Sequence, residues 1–136
     1  MTALLDTGFL LAVLDASDEH HEACKANLLA EHQPLLPDVV LPELAYMTLR
    51  ELGYPVWIQF LKSVVAEELP LERIRSEDLA RSAEILEQYA DAKVDFVDCV
   101  IVAMAERLNV VRIMTVDQRH FRMFQPKHCK SFTILP

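Results

Sequence analysis

Short apolar runs alternate with longer amphipathic stretches along this chain, and the alternation predicts strands separated by helices. "ALL" at 3–5 reads as a strand that passes through Asp6-Thr7 into a helix beginning near Gly8. Residues 18–32 are rich in helix formers, with Ala23, Ala26, Leu28 and Leu29 as a weak apolar stripe. A brief strand is expected near Leu35-Leu36. A helix follows from Leu41 or Pro42 and stops at Gly53. Trp57, Phe60, Leu61, Val64 and Val65 fall at i, i+3, i+4, i+7 and i+8, the spacing of one helical face. "LPLERI" at 69–74 predicts a third strand, and Ser76 is expected to cap a helix buried along Leu79, Ala83, Leu86 and Ala90.

The stretch after Val94 is rich in strand formers, yet Val97, Val100, Ile101, Met104 and Leu108 keep helical spacing up to Asn109. It predicts a largely buried helix with Asp95 as N-cap. "VVRIMT" is a strand, "DQRHFRMF" a short helix and "SFTIL" at 131–135 a last strand. With no tight hairpin signal, the pattern implies an α/β protein: a three-layer α/β/α sandwich around a mainly parallel sheet. In such sheets ligands bind beyond the carboxyl ends of the strands.

Two of the strands hand over directly to an acid, Asp6 and Asp117, and a carboxylate between buried segments is costly unless something uses it. Each has an ordinary explanation as a helix cap. Glu43 is a first-turn acid favoured by the helix dipole, and Asp98 stands three residues after Asp95. The ordinary explanations weaken together, because Asp98 runs straight into the apolar "CVIVAMA". Four such acids as neighbours call for a divalent cation, and hard oxygen ligands suit Mg²⁺ or Mn²⁺. Metal-assisted phosphodiester hydrolysis is the chemistry such a cluster serves best.

Length and composition narrow the field. The 136 residues suit one domain, 1–136, with 52% hydrophobic residues and only 2 Gly. No apolar run approaches the roughly 20 residues a bilayer requires, and a signal peptide's basic region and cleavage site are missing, so a soluble cytoplasmic protein with no membrane partner is expected. Cys24, Cys99 and Cys129 form no C-x-x-C pair, and Cys99 reads as a core filler. His20, His21 and Cys24 read as surface positions and not a zinc cluster. A net charge of −8 argues against a broad basic face for nucleic acid.

"LLDTGFLLAVLD", "LPELAYMTLRELG", "DFVDCVIVAMAERL" and "RIMTVDQRHF" stand in the order and context of a PIN domain. Over residues 2–125 the chain closely resembles VapC-type toxin ribonucleases of toxin–antitoxin pairs. The resemblance implies that Asp6, Glu43, Asp98 and Asp117 form an acidic site holding Mg²⁺ or Mn²⁺, with Thr7 and Thr115 as adjacent hydroxyls. Asp95 is either a fifth member or only a cap. It further implies RNA cleavage with water as nucleophile, a homodimer and a cognate antitoxin. Cys99 replaces the small Ala usual after the third acid, and the acidic net charge departs from the more typical basic one.

Arg112, Arg119, Arg122, Lys127 and Lys130 gather positive charge near Asp117 in sequence. Arg119 and Arg122 either hold RNA phosphates beside the site or belong to a solvated short helix. The Trp57 helix reads as core, with part of it available as a dimer or antitoxin face. His120 receives no role. Two alternatives compete: a PIN-like domain that binds RNA or protein without cutting, disfavoured because all four acids are present, and a phospho-accepting receiver domain, disfavoured by Asp6-Thr7 and the missing Lys after the final strand.

Overall fold

The computed structural model describes residues 2–136. Five strands form one sheet: β1 (Thr2–Leu5), β2 (Gln33–Pro37), β3 (Leu71–Glu72), β4 (Arg112–Met114) and β5 (Thr133–Leu135). Their spatial order is β3-β2-β1-β4-β5, and every pairing is parallel. Parallel strands buried on both faces need no polar alternation, which is why β1 reads as an uninterrupted apolar run. Ala3, Leu4 and Leu5 are all fully buried.

The helices are α1 (Thr7–Leu14), α2 (His21–Ala30), α3 (Leu41–Glu51), α4 (Tyr54–Val65), α5 (Ser76–Gln88), α6 (Phe96–Leu108) and α7 (Gln118–Met123). They complete a three-layer α/β/α sandwich. From β1 the order runs outward to β2 and β3, and then the chain returns through α5 and α6 to place β4 on the other side of β1. The reversal falls between β1 and β4, whose carboxyl ends are the position where open α/β sheets bind ligands.

α6 is the central helix. Cys99 through Ala105 are all buried, so it is enclosed nearly all round and its β-branched residues serve packing, not a strand. Asn109 closes it in the left-handed conformation at φ 56.

Several expectations change in the structure. The buried side of α2 is Cys24, with Leu28 and the His21 ring beside it, whereas Leu29 is 78% exposed and Ala23 and Ala26 face solvent. His21 is therefore not a plain surface residue: its Nδ1 lies 2.8 Å from the Ala12 carbonyl oxygen. α5 starts after Arg75, not Ser76, with Asp78 Oδ2 accepting from the Arg75 N–H at 2.9 Å. Its buried stripe is Asp78, Ser82 and Ile85 with half-buried Leu86, while Leu79, Ala83 and Ala90 are exposed. The cause is polar packing against α6: Arg107 bonds Asp78 at 2.9 Å, and Arg81 bonds Glu106 at 2.7 Å. An apolar periodicity is blind to a seam made of ion pairs. α4 is helical as its spacing predicts, but only Phe60 is buried, and Ile58, Leu61 and Val65 are exposed.

Candidate metal centre

Asp6 ends β1 and caps α1. Its backbone N–H continues the β1–β4 ladder to the Met114 carbonyl at 3.0 Å. One carboxylate oxygen, Oδ1, accepts from the Thr7 N–H at 2.8 Å, and the other, Oδ2, accepts from the Thr115 hydroxyl at 2.8 Å. Thr115 is fully buried just beyond β4, and its Oγ1 also accepts the Asp117 N–H at 3.0 Å. A single hydroxyl thus ties together the two strand-end acids that lie far apart in sequence. Asp6 is held on both oxygens, so its orientation is set before any ligand arrives.

Thr7 is nearly buried, and its Oγ1 has no hydrogen-bond partner among the described residues. Gly8 follows it because the chain passes close to Val116: a Cβ there would lie 2.9 Å from Val116 Cγ2.

Asp98 enters from the first turn of α6 with its residue only 7% exposed. Burial, reinforced by the negative charges of Asp6, Asp95, Asp117 and Glu43, pushes its pKa up to about 8. Asp6 is raised to about 6, chiefly by burial and further by Glu43 and Asp117, against the lowering effect of the Thr115 and Thr7 hydrogen bonds. Glu43, half-buried in the first turn of α3, therefore acts on both buried acids. The structure brings Asp6, Glu43, Asp98 and Asp117 into one electrostatic neighbourhood from four separate elements. Asp95 is exposed and caps α6, with Oδ1 accepting from the Val97 N–H at 2.8 Å.

The remaining sequence candidates sort differently. Arg119 and Arg122 lie exposed on α7, with Arg122 Nη2 donating to Gln118 Oε1 at 2.8 Å. Arg112 is committed elsewhere. It sits at the opposite end of β4 and grips the buried Glu31 carboxylate at 2.7 Å.

One residue of the site escaped the sequence reading. The His120 Nδ1 lies 3.2 Å from Asp98 Oδ2 and 3.8 Å from Asp117 Oδ2. Asp98, Asp117 and His120 are a group whose ligand atoms all lie within 4.8 Å of one another. The available signal was positional, since His120 stands three residues after Asp117 on a helix and shares its face.

A divalent cation fits this donor set. Two buried carboxyls with raised pKa values and a third, half-exposed carboxylate repel one another, and a cation reverses that penalty. The oxygens are of the hard kind that Mg²⁺ and Mn²⁺ accept.

A parallel α/β sandwich carrying an acidic cluster at its strand-order reversal defines a class of α/β domains whose site can hold a divalent cation. The PIN domain family model matches residues 3–124, and the chain belongs to that family. Ribonuclease VapC26 of Mycobacterium tuberculosis (strain ATCC 25618 / H37Rv) is 26% identical over 134 residues, spanning 98% of this chain and 99% of that protein. Among solved structures, Mycobacterium tuberculosis VapC20, a sarcin-ricin loop cleaving toxin, is similar with a TM-score of 0.78 and 17% identity over 87% of this chain and 93% of its own. DNA-bound VapBC from Salmonella typhimurium is similar with a TM-score of 0.72 and 16% identity over 98% of this chain and 96% of that one. At these identities the structural likeness establishes the fold.

Proposed function

We propose that this PIN domain is a divalent-metal-dependent endoribonuclease and the toxin of a toxin–antitoxin pair. The observation that carries the reading is the convergence of Asp6, Glu43, Asp98 and Asp117 on one site, where Asp6, Asp117 and Glu43 add to the burial that raises the Asp98 pKa. Similarity to a ribonuclease of the VapC type supports the choice of RNA as substrate. Mg²⁺ or Mn²⁺ is the proposed ion.

In this reading Asp6, Asp98 and Asp117 hold the cation, with Glu43 completing the negative field. When bound, the cation supplies charge stabilisation at the scissile phosphate and acidifies water. The chain's own contribution is rigidity. The Thr7 N–H and the Thr115 hydroxyl fix both oxygens of Asp6, and Asp98 is anchored to the enclosed helix α6. Thr7 and Thr115 are positioning hydroxyls, and Asp95 serves as the cap of α6. Exposed Arg119 and Arg122 are the proposed phosphate contacts along RNA, local positive charge that an acidic chain needs beside such a site.

An antitoxin partner is supported by the similarity to chains solved as VapBC complexes. The exposed apolar residues of α4, Ile58, Leu61 and Val65, are the proposed contact surface for the antitoxin or a second copy of the chain.

The deciding experiment is cleavage of structured and unstructured RNA with Mg²⁺ or Mn²⁺, beside Asp6→Asn prepared identically and an EDTA control. Cutting should vanish with EDTA and fall at least about 10²–10³-fold in the variant, as for loss of one electrostatic stabiliser. Equal cutting by the wild type and Asp6→Asn would refute the assignment.

A further inference from the structure

We infer that His120 is a direct nitrogen ligand of the bound cation, which makes this centre prefer Mn²⁺ over Mg²⁺. The inference rests on the acidic site proposed above and adds a residue outside the carboxylate set.

Geometry is the first ground. Around a cation with bonds of about 2.1 Å, adjacent ligands lie about 3.0 Å apart and opposite ones about 4.2 Å. His120 Nδ1 stands 3.2 Å from Asp98 Oδ2 and 3.8 Å from Asp117 Oδ2, within that span. The three ligand atoms, all within 4.8 Å of one another, form a triangle that a single ion can cap with small side-chain adjustments. Neither Asp6 nor Glu43 belongs to this tight group. The imidazole is therefore better placed beside Asp98 and Asp117 than either of those acids.

Support by the fold is the second ground. His120 is on α7, whose next residue, Phe121, is 1% exposed and packs against Phe124 and Phe132 with ring centroids 5.9 and 6.4 Å away. That aromatic anchor holds in place the short helix that carries the ring. The His120 side chain itself is 17% exposed, so the ring keeps access to solvent.

Chemistry supplies the consequence. Mg²⁺ strongly favours oxygen and near-ideal octahedral geometry, whereas Mn²⁺, a first-row transition ion, accepts an imidazole nitrogen more readily than Mg²⁺ does. A mixed set of two carboxylates and one imidazole tilts selectivity toward Mn²⁺. Ligation through Nδ1 requires the ring proton to sit on Nε2.

The test is spectroscopic. Mn²⁺ is titrated into the purified wild-type chain, His120→Gln and Asp98→Asn, with binding followed by electron paramagnetic resonance. Pulsed electron spin echo measurements then report ¹⁴N coupled to the bound ion. The expected result is ¹⁴N coupling in the wild type that His120→Gln removes, with Mn²⁺ affinity falling about tenfold or more and Mg²⁺ affinity, from competition, changing less than about threefold. Wild-type Mn²⁺ without ¹⁴N coupling, or coupling that persists in His120→Gln through another of the five histidines, overturns the assignment. Circular dichroism of His120→Gln verifies that it is folded. A His120→Asp variant, which restores an oxygen donor, should bind Mg²⁺ without any ¹⁴N signal. If Mn²⁺ binding is unchanged in Asp98→Asn, the acidic site itself is wrong, and that failure is distinct from a wild type whose Asp98-dependent ion lacks nitrogen.

Discussion

Replacing Asp98 by Asn should stabilise the metal-free protein while removing its response to metal. The carboxyl is buried among four other acids, and its pKa stands at about 8 against an ordinary 3.8. The native state therefore binds this proton more tightly than the unfolded chain does. By linkage, the stability tied to Asp98 is fullest below about pH 4 and is lost as pH rises toward 8. At pH 7 the loss is roughly 3 units at about 1.4 kcal/mol each, or about 4 kcal/mol. Asn avoids it but weakens the contact with His120, a loss of about 1–2 kcal/mol. The net gain of about 2–3 kcal/mol corresponds to a rise in Tm of roughly 10 °C for a chain of this size. Thermal unfolding in EDTA between pH 4 and 8 measures it, and the gap between variant and wild type should widen with pH. Saturating Mn²⁺ at about 100 times its Kd should return about 2.7 kcal/mol to the wild type and almost nothing to the variant, closing the gap. A variant less stable than wild type in EDTA at pH 7, or a gap indifferent to pH, would refute the reasoning.

Other expectations rest on separate contacts. Thr115→Val removes the donor to Asp6 and the acceptor for the Asp117 N–H, so denaturant unfolding should show a loss of about 1–3 kcal/mol together with weaker Mn²⁺ binding. Arg107→Met strands the 2% exposed Asp78 carboxylate, and should cost about 3–5 kcal/mol in the same assay; adding Asp78→Leu should recover much of it. Leu61→Lys with Val65→Glu on exposed α4 should leave stability within about 0.5 kcal/mol, and sedimentation velocity should show loss of any self-association or antitoxin binding through that face.

The alternation of short apolar runs and amphipathic stretches was enough to place the strands and the seven helices, since β1 and β4 are buried on both faces and α6 is enclosed. Asp6, Glu43, Asp98 and Asp117 were visible as acids at strand ends or in first turns, positions the local pattern marks. What local pattern cannot register is contact between distant segments. The hydroxyl of Thr115 joins Asp6 to Asp117 only because β4 pairs with β1, a consequence of the strand-order reversal. The α5–α6 seam of Arg81, Glu106, Asp78 and Arg107 carries no apolar period, so its buried face was misread by the rule that hydrophobic residues point inward. His120 looked idle because its partner Asp98 is twenty-two residues away. Periodicity reports which residues leave water, and only the packed fold decides which charges then meet.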